Sequence, residues 1–283
     1  MKKLLTLSFL TMLMCSCAND TTVVEPATSE TDEMTLSCKL EGDFTFESFT
    51  RAASATVGDV WIFDFMDGKY LQMTHQQAGD ANFGNPNITL KYGTHELYFV
   101  VSSGSVPSLD LNNNTIMWNR VGDTFWISAT AVITPSTSPN LSVSLNRVVT
   151  MLKLKSKDVA PDDVSYVRII PRTWYYGLSY KTGKPTAMTT NKTVQYNIEN
   201  TGECGEFHLY GFATDDEFRT DVNFMACTEN HATIQYNTVE SVPFIVNRVT
   251  SMTGWIFSET ATGLYNYNLW TNVAWAEEYN GTW

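Results

Sequence analysis

Apolar and polar residues alternate strictly near the start of the chain, and only one kind of backbone can use that pattern. Met34, Leu36, Cys38 and Leu40 are each separated by one polar residue. Successive side chains of a β-strand point to opposite faces, so a period of two places these four residues on one buried face. The segment from Met34 to Phe46 is therefore predicted to form an early strand of the fold.

Short β-rich runs separated by turn signals fill most of the remaining sequence. The clearest run, residues 60–65, is followed by Asp67-Gly68, a dipeptide typical of hairpin turns, and then by a second run at residues 69–73. No amphipathic helix of convincing length is found in the sequence. The pattern predicts an all-β fold, with β-sandwiches as the expected architecture.

A change of apolar face suggests where the chain passes between two domains. Within residues 141–155 the apolar positions switch parity, which predicts a bulge or a strand that passes from one sheet to another. A polar stretch that contains Pro161 follows. We therefore expect an N-terminal β-sandwich over residues 34–156 and a C-terminal β-sandwich over residues 157–283. A short echo, Asn-Arg-Val at 146–148 and again at 247–249, is either a trace of two related halves or a coincidence.

The N-terminal residues have the features of an export signal. Two lysines precede an apolar stretch too short to span a bilayer permanently, which indicates a signal peptide over residues 1–16. The stretch ends at Ser16-Cys17, which resembles the lipobox of bacterial lipoproteins. Cleavage between Ser16 and Cys17 and lipidation of Cys17 are expected, and Cys15 is the weaker candidate because a bulky residue precedes it. The alternative is an ordinary signal peptide with cysteines near its end by chance.

The composition limits the partners of the exported chain. Residues 17–33 hold little that can be buried and are predicted to form a lipidated, flexible tether. The formal net charge is −12, and it becomes −14 once the two lysines of the signal peptide are removed. Phosphate contacts need a positive footprint, so nucleic acid is excluded as a partner. No further apolar run has the length of a membrane helix, and attachment would depend on the lipid.

No pattern in the sequence indicates catalysis, a metal site or a cofactor. The four histidines stand apart, without the spacing of metal ligands, and no nucleophile elbow or phosphate-binding glycine loop occurs. Asp64 and Asp67 are close in sequence but flank a turn, where Asp favours local hydrogen bonds. Cys204 and Cys227 either form a disulfide or remain free buried thiols. We therefore expect no enzymatic activity.

Aromatic residues are more numerous than two small cores obviously need. Trp174, Tyr175 and Tyr176 are consecutive, and Trp270 and Trp275 lie near the C-terminal end. Exposed rings of this kind could contact a partner or stack on sugars, which would make the chain a surface glycan-binding lipoprotein. The alternative is that these rings fill cores or cover an interface.

Taken together, these features resemble the fimbrillin superfamily of Bacteroidales, whose members form the stalk, tip and anchor subunits of type V pili. The resemblance covers most of the mature chain, and its most similar members are the FimB-type anchor and accessory subunits. The segments that carry it are the lipobox at Cys17, the first alternating strand, Thr50-Arg51-Ala52, and residues 60–68, 145–149 and 242–250.

The resemblance implies an outer-membrane lipoprotein with two tandem transthyretin-like, Greek-key β-sandwiches. It also implies assembly with other fimbrial subunits by strand exchange or capping, and contact with host or bacterial surface ligands. In polymerising members a protease cuts after an arginine at the end of the first strand, and a neighbouring subunit fills the groove that this strand leaves. The corresponding bond here is Arg51–Ala52, whereas anchor members are not cut.

Overall fold

The apolar run around Trp61 forms a strand that is buried on both faces. Seven of the eight residues of Asp59–Met66 are buried. Val60 and Ile62 face one core, whereas Trp61 and Phe63 face another. A strand covered on both sides is expected to be almost continuously apolar, as this one is.

The protein's structure is a computed structural model that describes residues 32–46, 55–198, 202, 204–257 and 266–271. For residues 45, 55, 204 and 266–271 it describes the backbone alone. The described residues from Glu33 onward belong to one compact unit.

All regular elements in the described ranges are strands, which confirms the all-β prediction, and none of these ranges contains a helix that could cross a membrane. The strands of the N-terminal half are β1 Glu33–Glu41, β2 Phe44–Thr45, β3 Ala55–Thr56, β4 Asp59–Met66, β5 Lys69–Gln77, β6 Asn87–Lys91, β7 Gly93–Ser102, β8 Ser108–Asp110, β9 Thr115–Met117, β10 Thr124–Ile133, β11 Asn140–Ser144 and β12 Asn146–Arg147. Those of the C-terminal half are β13 Val149–Val159, β14 Tyr166–Pro171, β15 Thr173–Tyr175, β16 Gly177–Ser179, β17 Met188–Thr190, β18 Val194–Asn197, β19 Cys204–Phe212, β20 Phe218–Cys227, β21 Thr233–Phe244, β22 Arg248–Gly254 and β23 Asn266–Thr271.

Each half contains two sheets that enclose a hydrophobic core. In the N-terminal half the sheets have the orders β11-β1-β6 and β12-β10-β7-β4-β5. In the C-terminal half the orders are β17-β15-β19-β13-β22-β23 and β18-β14-β20-β21. Buried residues of the facing sheets form one cluster per half, so each half is a sandwich.

Seven strands follow the same course in both halves. The first strand of each half, β1 or β13, pairs antiparallel with one later strand, β6 or β19, and in parallel with another, β11 or β22. The facing sheets also correspond, since β5-β4-β7-β10 has the same order and directions as β18-β14-β20-β21. The halves therefore share a topology.

The sequence echo does not mark equivalent positions in this repeat. Asn146 and Arg147 form β12, which follows β11, whereas Asn247 and Arg248 lie where β22, the counterpart of β11, begins. The related course of the halves is therefore carried by strand order and not by the echo.

The predicted change of face within residues 141–155 is confirmed. Successive strands in this region join three different sheets, because β11 pairs with β1, β12 pairs with β10, and β13 pairs with β19 and β22. The chain thus enters the second sandwich at Val149. The domain limits at residue 157 and the transthyretin-like type of the sandwiches stay predictions.

The two halves are joined by a third core and by a shared sheet. β16 of the C-terminal half pairs with β9, which pairs with β8. The ring of Tyr180 stacks on Phe63, with centroids 3.9 Å apart. A buried cluster combines residues of both halves, among them Trp61, Trp118, Leu178 and Phe212.

The predicted hairpin turn after β4 is confirmed. Asp67 and Gly68 connect β4 to β5 and both have positive φ angles, 51° and 72°. Two such residues form the turn whose twist matches that of the flanking strands.

Candidate assembly site around the first strand

The first strand of the body lies inside a sheet. β1 pairs in parallel with β11, from Ser37 opposite Asn140 onward, and antiparallel with β6. Leu36, Cys38 and Leu40 are buried on its inner face, so the predicted alternation is confirmed. One edge of β1 pairs with β6 over Glu33–Ser37, the other edge pairs with β11 over Ser37–Glu41, and the inner face is buried.

Loss of β1 would open a groove with an apolar floor. Ile88 and Leu90 of β6 and Val143 of β11 belong to the same buried cluster as the inner face of β1. Burial of a leucine side chain stabilises the fold by roughly 1.5–3 kcal/mol, and β1 buries Leu36 and Leu40. Two unpaired strand edges above an apolar floor strongly favour a replacement strand.

Three phenylalanines lie just beyond the end of β1. The ring of Phe46 lies 5.4 Å from that of Phe44 and 5.1 Å from that of Phe83, edge to face in both cases. A cleft of about 630 Å³ beside them is also lined by Lys39 and Glu41. The predicted cleavage bond, Arg51–Ala52, lies outside the described residues.

A buried arginine holds the turn that follows β1. Arg147 donates from Nε and Nη2 to the two carboxylate oxygens of Asp123, at 2.7 and 3.0 Å. Its Nη1 donates to Asp43 Oδ2 at 2.9 Å and to Asn247 Oδ1 at 3.4 Å. The guanidinium carbon lies 4.7 Å from the centre of the Phe125 ring. One side chain thus connects the turn after β1, the start of β10 and the C-terminal half.

Burial dominates the chemistry of this cluster. It raises the pKa of Asp123 to about 7, although the neighbouring Arg147 acts in the opposite direction. Asp43 is partly exposed and adds a second negative charge that also raises the pKa of Asp123. Burial thus favours the neutral carboxyl group, Arg147 favours the carboxylate, and burial has the larger effect.

A final strand covers the corresponding edge in the C-terminal half. β22 has the position there that β11 has in the first half, and β23 pairs along its outer edge. No strand of the described ranges pairs with the outer edge of β11. Trp270 lies on β23 opposite Val249, where only its backbone is described, and Trp275 lies outside the described residues altogether.

The structure corrects the expectation that Trp174 contacts a glycan or a partner. Trp174 is 1% exposed, and its Nε1 donates to the carbonyl oxygen of Tyr210 at 3.0 Å. A Cβ atom at Gly211 would lie 2.3 Å from the indole, so the glycine makes room for the ring. Trp174 fills the core of the second sandwich, whereas Tyr175 and Tyr176 are half-buried against the junction of the two halves.

The cysteine predictions have different outcomes. Cys227 is a free, buried thiol, in agreement with the second of the two alternatives for the Cys204/Cys227 pair. The side chain of Cys204 is not among those described. The predicted signal peptide, the cleavage site Ser16-Cys17 and the lipidation site Cys17 all lie outside the described residues.

A buried histidine and aspartate form a pair that the sequence analysis missed. His95 Nδ1 lies 2.6 Å from Asp64 Oδ1, and its Nε2 lies 2.8 Å from the carbonyl oxygen of Lys91. Both ring nitrogens thus face oxygen atoms. Asp64 is therefore a partner of His95 within the sheet, and only Asp67 belongs to the turn.

Comparison with known proteins gives structural matches only. No family model and no curated protein matches the chain. The tip fimbrial protein Mfa3 from Porphyromonas gingivalis is 11% identical over 84% of this chain and 99% of its own, with a TM-score of 0.43. A fimbrial assembly protein from Parabacteroides distasonis is 12% identical over 84% and 94%, with a TM-score of 0.41. A candidate cell adhesion protein from Bacteroides uniformis is 11% identical over 84% and 96%, with a TM-score of 0.48. The strand pairing of this chain itself defines its fold.

Proposed function

We propose that the chain is a non-enzymatic structural, anchoring or adhesive subunit of a type V fimbria, most similar to the FimB type, and that the lipid on Cys17 holds it on the outer membrane. Its partners are other fimbrial subunits, which it contacts by strand exchange or capping, and host or bacterial surface ligands. The observation that carries the proposal is the position of β1, a first strand that covers an apolar groove between two other strands.

The surroundings of β1 are suited to its removal. A cut after Arg51 would release β1 together with Asp43, Phe44 and Phe46, all of which precede the cut. Arg147 would keep its two-bonded contact with Asp123 in the remaining body. The partly exposed Asp43 would leave and the buried Asp123 would keep Arg147 as its partner, so the groove could open without breaking that buried pair.

Limited digestion with trypsin tests the removable strand. Selective cleavage at Arg51 with an otherwise intact body is expected, and mass spectrometry of the fragments identifies the bond. Release of the N-terminal fragment should lower the melting temperature, and a synthetic peptide of Glu33–Glu41 should restore it. A control peptide with serine in place of Leu36 and Leu40 should not. Protection of Arg51 while other sites are cut would contradict the proposal.

The same digested protein distinguishes the possible roles. A polymerising subunit should bind a peptide that copies the C-terminal strand of a partner pilin, with a gain in melting temperature. No binding after loss of β1 favours a capping, anchoring or purely adhesive subunit.

A second experiment addresses the anchor. Metabolic labelling with a fatty acid should mark the wild-type chain in its native membrane and fail to mark Cys17→Ala, with Cys15→Ala as the matched control. Label that persists in Cys17→Ala would place the lipid elsewhere.

A further inference from the structure

A polar cleft of about 640 Å³ lies between the two sandwiches, away from β1. One wall comes from the N-terminal half, between the end of β7 and the start of β10, and the other comes from β18 and β19. Pockets that bind small ligands occupy about 300–1,000 Å³. The cleft is thus large enough for roughly one or two sugar rings.

The first wall is a rigid backbone surface. Ser105 N donates to Arg120 O at 3.0 Å, and Arg120 N donates to Ser105 Oγ at 3.0 Å. A Cβ atom at Gly122 would lie 2.3 Å from Gly104 N, so the two glycines keep the backbone segments in close contact. Behind Gly104, the buried Nε1 of Trp118 has no hydrogen-bond partner among the described residues.

The second wall carries hydrogen-bonding groups and aromatic rings. Glu206, His208 and Tyr210 alternate on the outer face of β19, and Tyr196 of β18 donates its hydroxyl to the carbonyl oxygen of His208. Burial raises the pKa of both tyrosines to about 12, so both stay neutral hydroxyl groups. Among the described residues of the lining, Val121 alone has an aliphatic side chain, and such a surface suits a hydroxyl-rich ligand better than an apolar one.

The charges of the cleft favour an acidic ligand. Glu206 lies 2.8 Å from His208 Nε2 and 3.4 Å from Lys153 Nζ, so its charge is balanced. Arg120 is exposed and lies over the Tyr196 ring at 5.3 Å, and no carboxylate among the described residues forms an ion pair with it. An arginine without a carboxylate partner is available for a ligand carboxylate.

We propose that this junction cleft binds a saccharide that carries a carboxylate, of the uronic acid class. Arg120 receives the carboxylate, and the tyrosine and histidine side chains on the opposite wall contact the ring and its hydroxyl groups. The inference depends neither on fimbrial assembly nor on removal of β1.

A matched pair of sugars tests this inference on the full chain. D-galacturonic acid and D-galactose differ only at C6, which carries a carboxylate in the first and a hydroxymethyl group in the second. Calorimetric titration or ligand-observed NMR should show binding of galacturonate at least about tenfold tighter than that of galactose, as expected for a charge-assisted contact.

Two variants assign the contact to the cleft. Arg120→Gln should weaken galacturonate binding about tenfold and leave galactose binding unchanged. Lys184→Gln removes an equal charge from an exposed residue outside the cleft lining and should bind like the wild type. Unchanged melting temperatures show that both variants are folded.

Four outcomes would overturn the inference. They are the absence of saturable binding, equal affinity for the two sugars, an unchanged Arg120→Gln variant, and equally tight binding of acetate or of a short acidic peptide. The last outcome would identify a general carboxylate site in place of a saccharide site.

Discussion

At the scale of single residues, the cluster around Arg147 shows that a buried charged side chain depends on the partners that form hydrogen bonds with it. The arginine side chain is 1% exposed and that of Asp123 is 4% exposed. Because neither side chain is accessible to water, water cannot solvate one of them when the other is removed. The pair therefore acts as a unit whose members cannot be removed singly at low cost.

Arg147→Leu is expected to destabilise the protein by about 3–5 kcal/mol, because it leaves the buried carboxyl group of Asp123 without its two hydrogen-bond donors. The matched control is Arg172→Leu, which removes an arginine that is 71% exposed and 3.3 Å from Asp221. Exposed ion pairs contribute about 0–1 kcal/mol, so the control should change stability little. Urea denaturation of both variants measures the difference, and equal losses would contradict the assigned role.

Asp123 should also make stability depend on pH. Burial raises its folded-state pKa to about 7, so between about pH 4 and pH 7 the native state holds a proton that the unfolded state releases. The free energy of unfolding should therefore fall as the pH rises through this window. Asp123→Asn lacks the titration, so the stability of the wild type relative to the variant should decrease from pH 4 to pH 7. Parallel curves for the two proteins would refute the shifted pKa.

Residue-scale chemistry is the part least predictable from the sequence. His95 lies 31 positions after Asp64, and 104 positions separate Asp43 from Arg147. No local pattern connects residues at such distances, because their contact depends on which strands become neighbours. The local sequence therefore suggests that Asp64 belongs to the neighbouring turn. It cannot reveal the partner of Asp64 on another strand.

At the scale of elements, local sequence predicts structure well wherever one strand or turn contains all the information. The alternation in β1, the double-sided burial of β4 and the turn at Asp67-Gly68 are all readable from consecutive residues. The burial of Trp174 is not, because three adjacent aromatic residues do not reveal which face is inward. The burial of Trp174 depends on Gly211 of another strand, whose missing side chain leaves room for the indole ring.

The hairpin offers a test with an internal control. Gly68→Ala places a side chain at a φ of 72° and should destabilise the protein by about 1–2 kcal/mol. Gly58 has no positive φ, and no atom lies within 4 Å of the position that a Cβ would occupy there, so Gly58→Ala should be neutral or slightly stabilising. Thermal denaturation compares the two. A Gly68→Ala variant as stable as Gly58→Ala would show that the turn differs from the one described.

At the scale of the whole molecule, two sandwiches of the same strand order are fused by a core that belongs to both. Neither the shared topology nor the junction is visible in the sequence. Strand order leaves no periodic signal, and the pairing of β16 with β9 joins segments about sixty residues apart. The sequence predicts two separate cores, and the third cluster shows why the chain contains more aromatic residues than those two need.

Because of this junction, the two halves should unfold together. Differential scanning calorimetry is expected to give one transition whose calorimetric and van't Hoff enthalpies agree. Tyr180→Ala removes the ring that stacks on Phe63 and should lower the stability of this single transition by roughly 3 kcal/mol.

The control for the junction is Tyr236→Ala, since Tyr236 is 53% exposed on β21. It should change stability by less than about 0.5 kcal/mol. Two resolved transitions in the wild type, or a loss in Tyr180→Ala that affects only one of them, would show that the halves are independent.

The direction of β1 relative to its two partners has a mechanical consequence. A pulling force that enters the body at Glu33 acts along the strand axis, parallel to β11 and antiparallel to β6. The hydrogen bonds on both sides then carry the load simultaneously, in shear, and cannot be peeled apart one after another. A strand seated in this way resists tension along the chain far better than it resists displacement by a competing strand that replaces its bonds stepwise from one end.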